Sequence, residues 1–103
     1  MTDFKRIALA DARALLDDPQ VSIVDIRDAR SYSTAHIPRA QHVDGSSAAA
    51  FIDRADREQP LVVYCYHGHS SQSAAAFFAN QGFREVYSLD GGFELWQQQA
   101  QHR

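Results

Sequence analysis

The chain has 103 residues, with 10 lysines and arginines against 13 aspartates and glutamates, so its formal net charge is −3 with histidine neutral. Its length fits a single domain over residues 1–103, and its 45% apolar and 22% charged residues are close to globular averages. These values argue against a disordered chain, and the negative charge argues against nucleic-acid binding through a basic face. We therefore expect one compact domain that binds no nucleic acid.

The sequence also indicates a protein that does not enter a membrane. No apolar run exceeds six residues, whereas a helix that spans a bilayer needs about 20. The first residues lack the apolar segment of a secretory signal, so we expect a cytoplasmic location. Cys65 is the one cysteine in the sequence, so no intramolecular disulfide can form and no zinc site built from several cysteines is available.

Short β-rich segments alternate with helical segments along the chain, which is typical of an α/β domain. The predicted strands are Phe4–Ile7, Val21–Asp25, Leu61–Cys65 and Glu85–Ser88, and the predicted helices span residues 9–16, 46–56, 71–81 and 93–99. The segment Leu61–Cys65 is apolar throughout and rich in β-branched residues, as in a strand buried on both faces of a parallel sheet. We predict that it is the central strand.

The clearest chemical signal lies between this strand and the next helix. Residues 65–71 read Cys-Tyr-His-Gly-His-Ser-Ser, within a stretch from residue 59 to 83 that contains no Lys, Arg, Asp or Glu. Sites in parallel α/β sheets form at the carboxyl ends of the strands, where the free N–H groups of a loop and helix start converge on an anion. The same field favours the thiolate form of cysteine. We therefore predict that Cys65 is a nucleophile beside an anion-binding loop.

Two alternative interpretations of Cys65 are weakened by its neighbours. A buried structural cysteine is the first, but Gly68 and the small polar residues after it leave room for a ligand, which a packed strand end does not need. A phosphatase is the second, and such enzymes have a histidine before the cysteine and an arginine six residues after it. This chain has Tyr64 and Ser71 at those positions, so we reject a phosphatase.

Two further alternatives are disfavoured by geometry and size. A cysteine protease needs a histidine and an orienting Asn or Asp from elsewhere, usually on a larger chain. A metal site is also conceivable, and its candidate ligands are Cys65, His67, His69, His36 and His42. Because alternate residues of a tight turn rarely point at one atom, we expect no metal.

Several motifs together resemble the rhodanese family, and within it the single-domain bacterial thiosulfate sulfurtransferases. They are Asp25-Ile26-Arg27, Ala35–Ala40, the Cys65 loop with its Ser/Ala-rich helix, and Gly82-Phe83 followed by Val86, Leu89–Gly92 and Trp96. The match spans nearly the whole chain. It implies a rhodanese-like α/β fold, with a five-stranded, mostly parallel sheet flanked by helices on both faces. The family often has glycine where this chain has Ala35 and Arg39.

The resemblance also implies a reaction. Cys65 attacks the outer sulfur of thiosulfate, sulfite leaves, and the resulting persulfide passes its sulfur to cyanide or to a thiol acceptor, for which thioredoxin is a candidate. The implied substrate-binding residues are Tyr66, His67, Gly68, His69 and Ser70, and no cofactor is implied. Because thiosulfate and the persulfide are both anions, the converging N–H groups of the loop suit both.

An alternative from another class is a binding or regulatory module with the rhodanese fold, which docks a partner or a sulfur carrier without turnover. The fold does not exclude it, but the intact cysteine loop favours the enzyme. We expect structural roles for Asp25, Arg27 and His36. Five aromatic residues are expected in the core, namely Phe77, Phe78, Phe83, Phe93 and Trp96.

Overall fold

A five-stranded parallel sheet organises the molecule in the computed structural model, which describes residues 3–101. The elements in chain order are β1 Lys5–Ile7, α1 Leu9–Asp17, β2 Ser22–Asp25, α2 Ala29–Thr34, β3 Gln41–His42, α3 Ala48–Arg54, β4 Leu61–Tyr64, α4 Ser70–Asn80, β5 Val86–Leu89 and α5 Gly92–Gln101. The strand order is β1-β5-β4-β2-β3, and each neighbouring pair is parallel. The predicted α/β class and sheet are therefore confirmed.

The central strand is β4, as its composition predicts. Each of its four residues is fully buried, and it pairs with β2 on one side and β5 on the other. Val62 and Tyr64 pack into one core cluster, while Leu61 and Val63 pack into the other. The first cluster includes residues of α1 and α5, and the second includes residues of α3 and α4. Helices therefore cover both faces of the sheet, and alternate side chains of β4 anchor them.

Two elements, α2 and β3, have no counterpart in the periodicity of the sequence. Helix α2 has six residues and buries none of them, so it carries no apolar stripe. It begins at a capping aspartate, Asp28, whose side chain accepts a hydrogen bond of 2.8 Å from the backbone N–H of Ser31. Strand β3 is two residues long and is defined by its pairing with β2. Both elements depend on capping and pairing, which a hydrophobic pattern does not record.

The prediction for the aromatic core is wrong at one residue. Phe78, Phe83 and Phe93 are buried, and Trp96 packs against the core, but Phe77 has an exposed fraction of 44%. The buried face of α4 is formed by Ser71, Ala75, Phe78 and Ala79, which recur at helical spacing, and Phe77 lies outside this face. Within residues 3–101, no helix has both the length and the apolar character needed to cross a membrane.

Arg39 occupies a backbone conformation that favours glycine, with φ of 71°. Its guanidinium donates hydrogen bonds to the backbone carbonyls of Leu16 and Val21, at the end of α1 and just before β2. The final carbonyls of a helix lack partners within it, so the side chain satisfies a group that would otherwise need water. The arginine thus compensates for a strained backbone by a contact that glycine cannot make.

We predict that Arg39→Ala lowers the free energy of unfolding more than Arg39→Gly does. Both variants lose the guanidinium contacts, whereas only alanine retains the left-handed strain, so they should differ by about 1 kcal/mol in favour of glycine. Urea denaturation of the two variants and the parent measures this difference. Equal stability of the two variants would contradict the assigned backbone strain.

Candidate active site

Cys65 lies at the carboxyl edge of the sheet, immediately after β4 and five residues before the first residue of α4. The neighbouring strand β2 ends at Asp25, which is in register with Tyr64. The backbone N–H of Ile26 donates to the carbonyl of Tyr64 at 3.1 Å, so the segment after β2 runs beside the cysteine. The predicted order of strand, cysteine, loop and helix is therefore observed.

The sulfur of Cys65 is surrounded by hydrogen-bond donors. Backbone N–H groups of Gly68 and Ser71 lie 3.1 and 3.3 Å from Sγ, and the Ser71 hydroxyl oxygen lies 3.4 Å from it. Burial raises the pKa of the Cys65 thiol, but hydrogen bonds from the Ser71 hydroxyl and from the amides of Ser71, Gly68 and His67 outweigh it and lower the pKa below its ordinary value. The loop therefore favours the thiolate, which is the nucleophilic form.

The start of α5 holds the beginning of this loop. The backbone N–H groups of Phe93 and Glu94 donate to the carbonyls of Cys65 and Tyr66, at 2.9 and 3.1 Å. N–H groups in the first turn of a helix have no hydrogen-bond partner within that helix. The two contacts therefore give partners both to the N–H groups of α5 and to the carbonyls of the loop. The approach requires Gly92, because a Cβ there would lie 2.4 Å from the carbonyl oxygen of Cys65.

In the sequence, Gly91 and Gly92 stand out only as part of a motif that resembles the rhodanese family, and their support of the cysteine loop was not predicted. Both residues have positive φ, of 78° and 57°. Gly68 is held nearby, since a Cβ on it would lie 2.9 Å from the backbone nitrogen of Gly91. Two adjacent glycines directly before a helix were the available signal, because together they permit a turn and a close backbone approach.

A shallow pocket of about 230 Å³ opens beside the sulfur. Its walls are formed by Ile26, Arg27, Asp28, Ser31, Cys65, Tyr66 and Ser70. Of the residues predicted to bind substrate, Tyr66 and Ser70 line this pocket, and Gly68 contributes its amide to the sulfur.

The two loop histidines lie outside the pocket walls. The side chains of His67 and His69 are exposed, and His67 Nδ1 is 3.6 Å from a carboxylate oxygen of Glu94. A negative group therefore offsets the charge of His67 when that side chain is protonated.

Arg27 brings a permanent cation to a pocket whose own loop has none. Its Nη2 lies 2.7 Å from Asp25 Oδ2 and 2.6 Å from the carbonyl oxygen of Ala35, and its guanidinium stacks 4.0 Å from the ring centroid of Phe93. Asp25 is fully buried and also accepts from the backbone N–H of Arg27 at 2.8 Å. The pair is neutral as a unit, and it ties the ends of β2 and α2 to α5, in line with the expected structural role.

Two other expectations concern the role of His36 and the candidate metal ligands. His36 Nδ1 hydrogen-bonds to the carbonyl of Tyr32 at 2.8 Å, which agrees with a role in fixing its loop. Within residues 3–101, the structure contains no group of three or more His, Cys, Asp or Glu side chains arranged to hold a metal ion. The candidate ligands Cys65, His67 and His69 are not brought together there.

A family model described as the rhodanese-like domain matches residues 8–99, which is most of the chain. The chain belongs to the rhodanese family. It is 59% identical to the thiosulfate sulfurtransferase GlpE of Stutzerimonas stutzeri over 96 residues, which cover 93% of this chain and 87% of the relative.

Solved structures show the same rhodanese architecture. A rhodanese-related protein from Thermoplasma volcanium superposes with a TM-score of 0.77 at 21% identity, covering 93% of both chains. A protein of unknown function from Rhodopseudomonas palustris, described as a possible tyrosine phosphatase, superposes with a TM-score of 0.80 at 29% identity, covering 94% of this chain and 82% of that one. In this rhodanese, Ser71 occupies the position where a phosphatase of the cysteine-loop type has its arginine.

We predict that Gly92→Ala destabilises the protein by more than about 2 kcal/mol and slows alkylation of Cys65, because the new methyl group overlaps two loop carbonyls that cannot move independently. Gly45→Ala is the matched control, since nothing lies within 4 Å of a Cβ at Gly45. Its stability should stay within about 0.5 kcal/mol of the parent. Urea denaturation and the alkylation rate measure both effects, and a Gly92 variant as stable as the Gly45 variant would refute this role of α5.

Proposed function

We propose that this rhodanese is a thiosulfate sulfurtransferase that works through a persulfide on Cys65. The observation that carries the proposal is a buried sulfur which accepts hydrogen bonds from two loop amides and faces a small pocket at the end of the central strand. Family membership and the 59% identity to a thiosulfate sulfurtransferase support the same activity.

In the first half-reaction, the Cys65 thiolate attacks the outer sulfur of thiosulfate. The bond between the two sulfur atoms of thiosulfate breaks, and its electron pair leaves with sulfite. The total charge of −3 is conserved, since the thiolate and the thiosulfate dianion become a persulfide anion and the sulfite dianion. We assign the backbone N–H groups of Tyr66, His67, Gly68, His69 and Ser70 to bind these anions, assisted by the N-terminal dipole of α4.

In the second half-reaction, cyanide or a thiolate attacks the outer sulfur of the persulfide. The bond from that sulfur to Cys65 breaks, and the electron pair returns to Cys65 Sγ. A thiol of low pKa is a good leaving group, so the donors around Sγ assist this step as well as the supply of thiolate for the first.

We also propose that the thiol acceptor is a protein, with thioredoxin as the candidate. An apolar groove of about 530 Å³, with Val43, Ala74 and Phe77 among its lining residues, adjoins the catalytic pocket at Ile26. Tyr66 and Phe77 have exposed fractions of 45% and 44% beside this region. Because the reaction needs a reduced thiol at Cys65, we propose a cytoplasmic location, where thiols stay reduced.

Treatment with thiosulfate should add one sulfur atom, about 32 Da, to the intact protein, and cyanide should then remove it. Cys65→Ser should show neither change, while Ser73→Ala, an exposed serine on α4, should behave as the parent does. Intact-mass spectrometry follows both steps. A parent protein that never gains the mass would favour the binding module over the enzyme, and a Cys65→Ser protein that transfers sulfur would exclude the proposed nucleophile.

The loop histidines should affect the KM for thiosulfate, which we expect near or above about 1 mM. Because Glu94 lies beside His67, His69→Ala should raise KM at pH 6 more than His67→Ala, by about two- to fivefold. Steady-state kinetics of the two variants and the parent at pH 6 test this, and a parent-like KM in both variants would leave the backbone amides as the anion-binding groups.

A further inference from the structure

Two buried hydroxyl groups extend away from the catalytic sulfur into the core. Ser71 in α4 and Ser88 in β5 both have an exposed fraction of 0%. Their Oγ atoms are 2.8 Å apart, and Ser71 Oγ is 3.4 Å from Cys65 Sγ. Ser88 is held by the sheet, since it is in register with Val63 of β4, two residues before the cysteine. The site described above uses the Ser71 hydroxyl as a donor to the sulfur but gives the Ser88 hydroxyl no role. The sequence placed Ser71 at the end of the loop and gave no signal for Ser88.

Cys65 Sγ, Ser71 Oγ and Ser88 Oγ form a row of hydrogen-bonded atoms, and the number of protons in it depends on whether Cys65 is protonated. The row from Cys65 Sγ through Ser71 Oγ to Ser88 Oγ contains two hydrogen bonds, and within residues 3–101 the Ser88 hydroxyl bonds to Ser71 alone. When Cys65 is a thiolate, two hydroxyl protons fill two hydrogen bonds. When Cys65 is a thiol, three protons compete for the same two hydrogen bonds, so either a hydroxyl proton or the thiol proton must point out of the row and give up its place in it. The row therefore matches the thiolate.

We propose that Ser88 is a positioning residue, whose hydroxyl donates to Ser71 Oγ and thereby directs the Ser71 hydroxyl proton onto the Cys65 sulfur. Among residues 3–101, the hydrogen bonds of Cys65 Sγ come from Ser71 and Gly68 and not from Ser88, whose hydroxyl bonds to Ser71 Oγ. The effect of Ser88 on the sulfur must therefore disappear when the Ser71 hydroxyl is absent. The part of this proposal that concerns sulfur transfer rests on the proposed function, whereas the part that concerns the protonation of Cys65 does not.

The other charged groups around Cys65 come from every neighbouring segment. On the segments beside the loop they are Asp25, Arg27 and Asp28 at and after the end of β2, His67 in the loop with Glu94 of α5, His69 before α4, and Asp90 after β5 with Arg6 of β1. Ser88 is fully buried, and the hydrogen bonds and ion pairs of these groups do not include it. Removal of the Ser88 hydroxyl therefore leaves these charged groups in place.

The pKa of Cys65 can be measured directly from the pH dependence of its alkylation by iodoacetamide, because the chain has one cysteine. We expect Ser71→Ala to raise this pKa by about one unit and Ser88→Ala to raise it by about half as much. The double variant should match Ser71→Ala alone, because Ser88 acts through Ser71. Ser73→Ala on the exposed face of α4 is the control and should leave the pKa unchanged.

A second readout separates positioning from a general structural defect. At a pH above the pKa of Cys65, Ser88→Ala should slow the transfer of sulfur from the persulfide to cyanide by about two- to threefold, because Cys65 becomes a poorer leaving group. Formation of the persulfide from thiosulfate should not be slowed. Ser88→Thr retains the hydroxyl and should restore the parent pKa. A structural defect would slow both half-reactions and would not depend on Ser71.

Three outcomes would overturn the proposal. They are a Ser88→Ala protein with the parent pKa, a shift of equal size in the Ser71→Ala background, and a Ser88→Thr protein that retains the raised pKa of the alanine variant. If the parent forms no persulfide at all, the proposed function fails, and the alkylation measurements still decide the role of Ser88.

Discussion

The site depends on the contact between the first turn of α5 and the first residues of the cysteine loop. Phe93 and Glu94 present free N–H groups to the carbonyls of Cys65 and Tyr66, and Gly92 allows the two backbones to meet. With these carbonyls turned toward α5, the loop curves around the sulfur, and the amides of Gly68 and Ser71 point at it. The start of α5 thus orients the loop that precedes α4. Backbone N–H groups provide most of the hydrogen-bond donors for an anion.

This arrangement gives a protein of net charge −3 a place for the anions of the proposed reaction. The nearby permanent cation, Arg27, is paired with a fully buried aspartate, so it contributes rigidity more than free charge. Removing one member of such a buried pair leaves an unpaired charge and is costly. Attraction for an anion must then come mainly from amide dipoles, which require no counterion and keep their orientation during the reaction.

In the proposed two-step transfer, the donors around Cys65 serve two opposite requirements. The sulfur must act as a nucleophile in one step and as a leaving group in the next, and both roles involve the same thiolate. Lowering its pKa increases the thiolate fraction and improves its departure, but it also reduces intrinsic nucleophilicity. The Ser71 hydroxyl and the amides of Ser71, Gly68 and His67 lower the pKa of Cys65 against the effect of burial. The balance between burial and hydrogen bonding therefore sets the reactivity of the sulfur.

Sequence alone determined the α/β class and the central strand, and it placed Cys65 at the end of that strand. An apolar β-branched run is typical of a strand buried on both faces, and a cysteine that directly follows such a strand is predicted to lie at the carboxyl edge of the sheet. Helix α2 and strand β3 were not predicted from the sequence, because neither buries an apolar stripe. Tertiary structure alone decided that Ser71 and Ser88 meet beside the sulfur, that Gly92 lies against Cys65, and that Arg27 joins the pocket. These contacts join residues from different strands and helices, and their geometry follows from strand order and register, which local sequence patterns do not encode.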